Sequence, residues 1–295
     1  MKRIFLFLLT NILVIATLSL ISNALGLYGY FDSYGLDYYA LASICLLWGM
    51  GGSIIALMLS RWTAKMMMNV SVISPDTTIQ QERNLLNTVY SIARRAGLQI
   101  MPEVGLYHSK ELNAFATGPT KNRALVAVST GLLNSMTADE IEGVLAHEVT
   151  HITNGDMVTM TLIQGVINAF SMFLSRVIAY IVHNMLVKDR SDERHKTSPA
   201  LYHSLAIIFD IIFTLLGSLV VAAFSRYREY RADKGGAHLV GRHKMIAALE
   251  HLRSATTFAS NGFVEPLKIN RKRSHFLSLL ASHPDIGLRI EALNS

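Results

Sequence analysis

The chain has 295 residues, 16% of them charged and 51% hydrophobic, with a mean hydropathy of +0.33. Soluble domains usually carry about 25% charged residues, so the apolar surplus must lie in lipid or in an outsized core. The single cysteine, Cys45, excludes an intrachain disulfide and a multi-cysteine zinc site, and leaves His, Asp and Glu as the only candidates to hold a metal. The net charge is +6 and the pI about 9.4. The basic residues are dispersed and form no nucleic-acid motif, so nucleic acid is not expected as a partner. Several flank apolar runs, where they would stay cytoplasmic and face anionic lipid.

No charge falls between Arg3 and Asp32, nor between Asp37 and Arg61. A spanning helix needs about 20 apolar residues, so spans are predicted near Ile4–Leu25 and Tyr38–Leu59. The first run is long for a signal peptide and a second follows it, which favours an uncleaved anchor. Lys2, Arg3, Arg61 and Lys65 flank this hairpin on one side, and the connection holds only Asp32 and Asp37. The positive-inside rule therefore places the N-terminus and everything after Arg61 in the cytoplasm.

Ser74-Pro75 predicts a helix start, with Ser as N-cap and Pro in the first turn. Leu85, Leu86, Val89, Ile92, Ala93 and Ala96 recur at helical spacing up to Gly97. Strand-like runs follow at Glu103–Tyr107, Asn113–Thr117 and Leu125–Ser129. The last two are joined by Gly118-Pro119 and a polar stretch, as in a hairpin. Thr137-Ala138-Asp139-Glu140 is a capping-box pattern that opens another helix.

Beyond it lie two more apolar stretches, Met157–Val187, interrupted by Arg176, and Leu201–Ser225, which contains Asp210. The connection between them holds Lys188, Arg190, Arg194 and Lys196. If both stretches span, those cations lie outside, against the positive-inside rule. The alternative is a helical hairpin packed on the rest of the chain. In a hairpin centred near Glu193, Arg176 and Asp210 fall at similar depth, which predicts an ion pair between them. Thr256–Arg273, with Ser260-Asn261-Gly262, reads as a loop. The domains expected are a hairpin over 1–60, a first catalytic part over 61–156, a second apolar hairpin over 157–225 and a second catalytic part over 226–295.

The helix opened by the capping box carries His147-Glu148-Val149-Thr150-His151. Residues four apart share a helix face, so both imidazoles can reach one ion at about 2.0–2.1 Å. Glu148 lies beside the first ligand and can take a proton from a water on that ion. Ile141, Val144, Leu145, Val149 and Ile152 give the helix a buried face. A third ligand is required. The metzincin extension fails, because Asn154 and Met157 stand where Gly and His would be needed. Glu229 and Asp233, four apart after the last apolar stretch, offer a carboxylate. Glu229 would ligate while Asp233 holds the outer nitrogen of a ligand histidine, or Asp233 would itself ligate. Since His151 and Glu229 must meet on one side of a membrane, the stretches between them cross it twice or not at all. A site buried within a spanning helix is disfavoured by the polar Thr137–Glu142 just upstream.

Several ordered segments together resemble one family. They are the N-terminal anchor, Asn113-Ala114-Phe115-Ala116-Thr117-Gly118, the HEVTH helix with Asn154-Gly155-Asp156, the run Ser225-Arg226-Tyr227-Arg228-Glu229-Tyr230-Arg231-Ala232-Asp233, and Ser282-His283-Pro284. The chain is similar along nearly its whole length to the HtpX-type membrane zinc proteases, relatives of the CAAX prenyl proteases. The resemblance implies a mainly α integral membrane protein with a small β-sheet and a gluzincin-like zinc protease domain. It implies one zinc ion held by His147, His151 and Glu229, with Glu148 as general base. It implies that Asn113, Ala114, Phe115 and Ala116 form an edge strand that binds substrate backbone by strand addition. The implied role is quality control at the inner membrane, acting on misfolded membrane proteins and unfolded polypeptides. The family's late pattern is closer to T-H-P-P, and Ser282 and Asp285 depart from it, which leaves His283 without a fixed role. His283 or Arg226 could stabilise the oxyanion. A dedicated processing protease and a catalytically idle membrane scaffold are the alternative functions.

Overall fold

The computed structural model describes residues 38–188, 199–261 and 281–295. The span expected near Ile4–Leu25 lies outside them, as does the part of the expected loop after residue 261. Eight α-helices and four strands are described: α1 (Tyr38–Met67), β1 (Ser71–Val72), α2 (Gln80–Arg95), β2 (Glu103–Tyr107), β3 (Ala114–Thr117), β4 (Leu125–Ser129), α3 (Thr130–Ser135), α4 (Ala138–Asn154), α5 (Asp156–Lys188), α6 (Pro199–Val240), α7 (Arg242–Asn261) and α8 (Ile286–Asn294). The chain forms two compact units, Met1–Ala56 with Thr161–Val221 and Leu57–Met160 with Ala222–Ser295.

The second unit holds the sheet, in the order β1-β2-β4-β3. β4 reads Leu-Val-Ala-Val-Ser and is buried throughout, as expected of a strand with neighbours on both sides and cover on both faces. It runs parallel to β2 and antiparallel to β3. β3 is an edge strand. Core packing on the sheet comes from α2 through Leu85, Leu86, Val89 and Ile92, and from α4 through Val144, Leu145, Val149 and Ile152. The Thr137 hydroxyl accepts from the Glu140 amide while the Glu140 carboxylate accepts from the Thr137 amide, so both halves of the capping box are made. α7 packs on α4, and α8 packs on α7.

Three expectations shift. Ser74-Pro75 does not open α2. The Ser74 hydroxyl accepts from the Asp76 amide and its carbonyl from the Thr77 amide, a local turn that competes with helix formation. The helix begins six residues after Ser74, at Gln80. Residues 256–261 belong to α7 rather than to a loop. Helix α5 continues through Lys188, so the start of the expected polar connection is helical.

Among the described residues, the first unit comprises parts of α1, α5 and α6. All three are long and apolar enough to cross a membrane. Within it Leu41, Cys45 and Met172 form a buried cluster with Trp48, Phe173 and Val177 against it. Arg176 Nη1 lies 3.6 Å from Asp210 Oδ2 and donates to the Met172 carbonyl at 2.9 Å. The Ser175 hydroxyl donates to the other Asp210 oxygen at 2.6 Å. The expected pair between the two apolar stretches is therefore present. Reversing either charge alone should lower the unfolding midpoint in detergent, at a cost of about 3–5 kcal/mol for a pair broken away from water. Reversing both together should recover most of that loss; a double variant no better than the singles would mean the pair does not join the helices.

Candidate metal centre

His147, Glu148 and His151 all stand on α4. His147 and His151 are buried. Their rings meet edge to face, with Nε2 atoms 3.1 Å apart. Glu229 enters from α6 and is 1% exposed. Its two oxygens lie 3.4 Å from His147 Nε2 and 3.4 Å from His151 Nε2. One donor atom from each of the three residues lies within 4.8 Å of the others, a grouping able to hold a metal ion.

Whether zinc fits can be asked of the geometry. Tetrahedral ligation at about 2.0–2.1 Å sets ligand atoms about 3.3–3.4 Å apart, close to the separations found. The outer nitrogens are already committed. His147 Nδ1 lies 2.9 Å from Asp233 Oδ1. His151 Nδ1 lies 2.6 Å from Asp156 Oδ2. Each Nε2 is thereby left facing the centre with its lone pair, the tautomer a metal requires. The buried Glu229 Oε1 accepts no hydrogen bond from the described residues. Lone pairs and a carboxylate converging in so buried a place are stable only around positive charge. The donor set fits a zinc ion.

The metal-free chain meets the same demand with a proton. Burial alone would lower the His147 pKa. Its hydrogen bonds to Asp233 and Glu229 outweigh burial and raise it from 6.5 to about 9.

Asp233 takes the outer-nitrogen position expected of it, and is itself gripped by Arg289 from α8 at 2.6 and 2.7 Å. Arg289 is buried, with Nη1 3.9 Å from Glu229 Oε2. Glu148 is half-buried, and its Oε2 accepts from the Ala116 amide at 2.8 Å. Glu148 and the edge strand thus touch. Ala114, Phe115 and Ala116 lie on β3. Asn113 precedes the strand and donates from Nδ2 to the Tyr107 hydroxyl at 2.6 Å. His283 Nδ1 lies 2.9 Å from Glu229 Oε2, with its side chain 56% exposed. Arg226 donates to the Ala281 carbonyl at 3.0 Å, two residues before His283. Sequence reasoning missed Asp156, Arg231 and Arg289 as neighbours of the centre. Asp156 and Arg231 stand within the Asn154-Gly155-Asp156 and Ser225–Asp233 runs, whereas Arg289 carried no signal.

A helix-borne pair of histidines with a distal glutamate, in a chain with membrane-competent helices, defines a membrane metallopeptidase. The profile of Peptidase family M48 matches residues 79–295, and the chain belongs to that family. It is 50% identical to a protein named Protease HtpX homolog from Bacillus licheniformis, covering 100% of this chain and 99% of that one. It is 47% identical to Protease HtpX of Shewanella oneidensis, with 100% of both chains covered. The crystal structure of S. mikatae Ste24p shares the fold, with a TM-score of 0.66 at 20% identity, over 97% of this chain and 66% of that one. The protein is a metalloprotease of the membrane.

The raised His147 pKa fixes a pH dependence. Protonation of His147 stabilises the metal-free fold fully below pH 6.5, and that contribution disappears as the pH rises through about 9. Thermal melts of chelator-treated protein should show the melting temperature falling across this window. Reloading with zinc should remove the fall.

Proposed function

We propose that the chain is a zinc endopeptidase that cleaves misfolded or damaged membrane proteins and unfolded polypeptides at the cytoplasmic face of the inner membrane. The observation that carries this reading is the convergence of Glu148, the buried His147–His151–Glu229 group and the edge strand β3 at one place.

In this reading His147, His151 and Glu229 hold the ion. When bound, zinc supplies Lewis acidity that brings the pKa of a coordinated water to about 7. Glu148 accepts the proton of the attacking water and delivers it to the leaving amine. An extended substrate segment adds to β3 along Asn113–Ala116 and takes its register from main-chain hydrogen bonds. That register would set which peptide bond stands beside Glu148. His283, beside Glu229, is the side chain best placed to donate to the oxyanion. Arg226 supports it by holding the Ala281 carbonyl. The cytoplasmic orientation rests on Lys2, Arg3, Arg61 and Lys65 flanking the first hairpin. The choice of membrane-protein substrates rests on the resemblance to the HtpX relatives and on the membrane-competent helices.

The test is Glu148→Ala in the full chain, assayed on an unfolded membrane-protein substrate beside metal analysis. The variant should keep about one zinc per chain and lose proteolysis by at least about 100-fold. Cleavage at the parental rate would overturn the assignment of the base.

A further inference from the structure

The side chain behind His151 has no role in the reading above. Asp156 is fully buried, and its Oδ2 lies 2.6 Å from His151 Nδ1. Its other oxygen, Oδ1, is paired with the Arg231 guanidinium. In one continuous helix a residue five positions after His151 would point about 140° away from it. The chain avoids this with a break. Gly155 ends α4 in the left-handed conformation, with φ +69°, and α5 starts at Asp156. A Cβ at position 155 would meet only the Lys121 side chain, at 3.6 Å, so the glycine serves the backbone angle and not the space. The Lys121 ammonium reaches back to the Thr153 carbonyl and closes the same helix end.

The arrangement around His147 is built alike. There Asp233 holds Nδ1, and Arg289 holds Asp233. Each ligand histidine therefore has its own carboxylate, and each carboxylate its own arginine. The two chains of contact differ in exposure: the Arg289 side chain is 9% exposed and that of Arg231 44%.

We propose that Asp156 and Arg231 are positioning residues of the metal centre: Asp156 fixes the ring and tautomer of His151, and Arg231 acts on the centre through Asp156. Asp156 keeps the proton on Nδ1, so that Nε2 presents its lone pair beside His147 and Glu229. Arg231 stands two residues after Glu229 on the same helix. Its grip on Asp156 joins the α4–α5 break to the helix that carries the third ligand. This inference rests on the reading of His147, His151 and Glu229 as metal ligands.

The experiment is competition for zinc between the full chain in detergent and a chromogenic chelator, using wild type, Asp156→Asn, Arg231→Gln and the double variant. Removing partners of this kind costs about 10–100-fold in metal affinity. Asp156→Asn should weaken retention within that range and Arg231→Gln several-fold. The double variant should be no weaker than Asp156→Asn, because Arg231 has nothing left to act through. Full addition of the two losses would overturn the role of Arg231, and unchanged affinity in both single variants would overturn the proposal. Should Asp156→Asn fail to fold, the half-exposed Arg231→Gln decides alone, and parental affinity there overturns the proposal. A wild type that binds no zinc would overturn instead the reading of the ligands.

Discussion

The second unit is organised around a demand for positive charge. Two imidazole nitrogens and a carboxylate converge where almost no water reaches, at separations of 3.1 to 3.4 Å. Without a cation such a cluster would repel itself. The arginines nearby answer this only in part: Arg228 Nη2 and Arg289 Nη1 stand 3.5 and 3.9 Å from the Glu229 oxygens, and the shorter arginine contacts fall on the outer carboxylates. Arg289 is spent on Asp233 and Arg231 on Asp156. The centre itself is left to a proton or a metal ion. The capping box, the αL break and the seating of α6 against α4 all keep these groups from relaxing apart.

What was legible in the sequence was local. The capping box, the Gly97 stop and strands β2 and β4 stand where their patterns placed them, because each is decided by neighbours within a few residues. The HEVTH spacing was readable for the same reason. The illegible parts depend on distant partners. Arg289 meets Asp233 across 56 positions and Arg231 meets Asp156 across 75, and no periodicity marks such pairs. β1 has two residues, too few to alternate, and exists because β2 offers it an edge. Ser74-Pro75 misled because a good capping residue can equally close a turn.

The membrane-competent unit shows the converse. Arg176 and Asp210 are conspicuous in the sequence because their surroundings are so apolar. A charge in such a setting has few options beyond a partner at its own depth. Ser175 adds a hydroxyl to the same carboxylate, so Asp210 is held by two adjacent residues of α5. The pairing of two helices is thus written in a few polar atoms among many interchangeable apolar ones.

The contacts of Arg289 bear on the order of synthesis. The carboxylate behind His147 is clamped from α8, 142 positions further along the chain. A nascent polypeptide carrying the HEVTH helix but not yet α6 or α8 lacks both Glu229 and the clamp on Asp233. Such an intermediate cannot assemble the complete centre while it emerges from the ribosome. If His147, His151 and Glu229 hold the metal as proposed, a hydrolase with this wiring would stay inert through most of its translation and gain competence only after its helices have found one another.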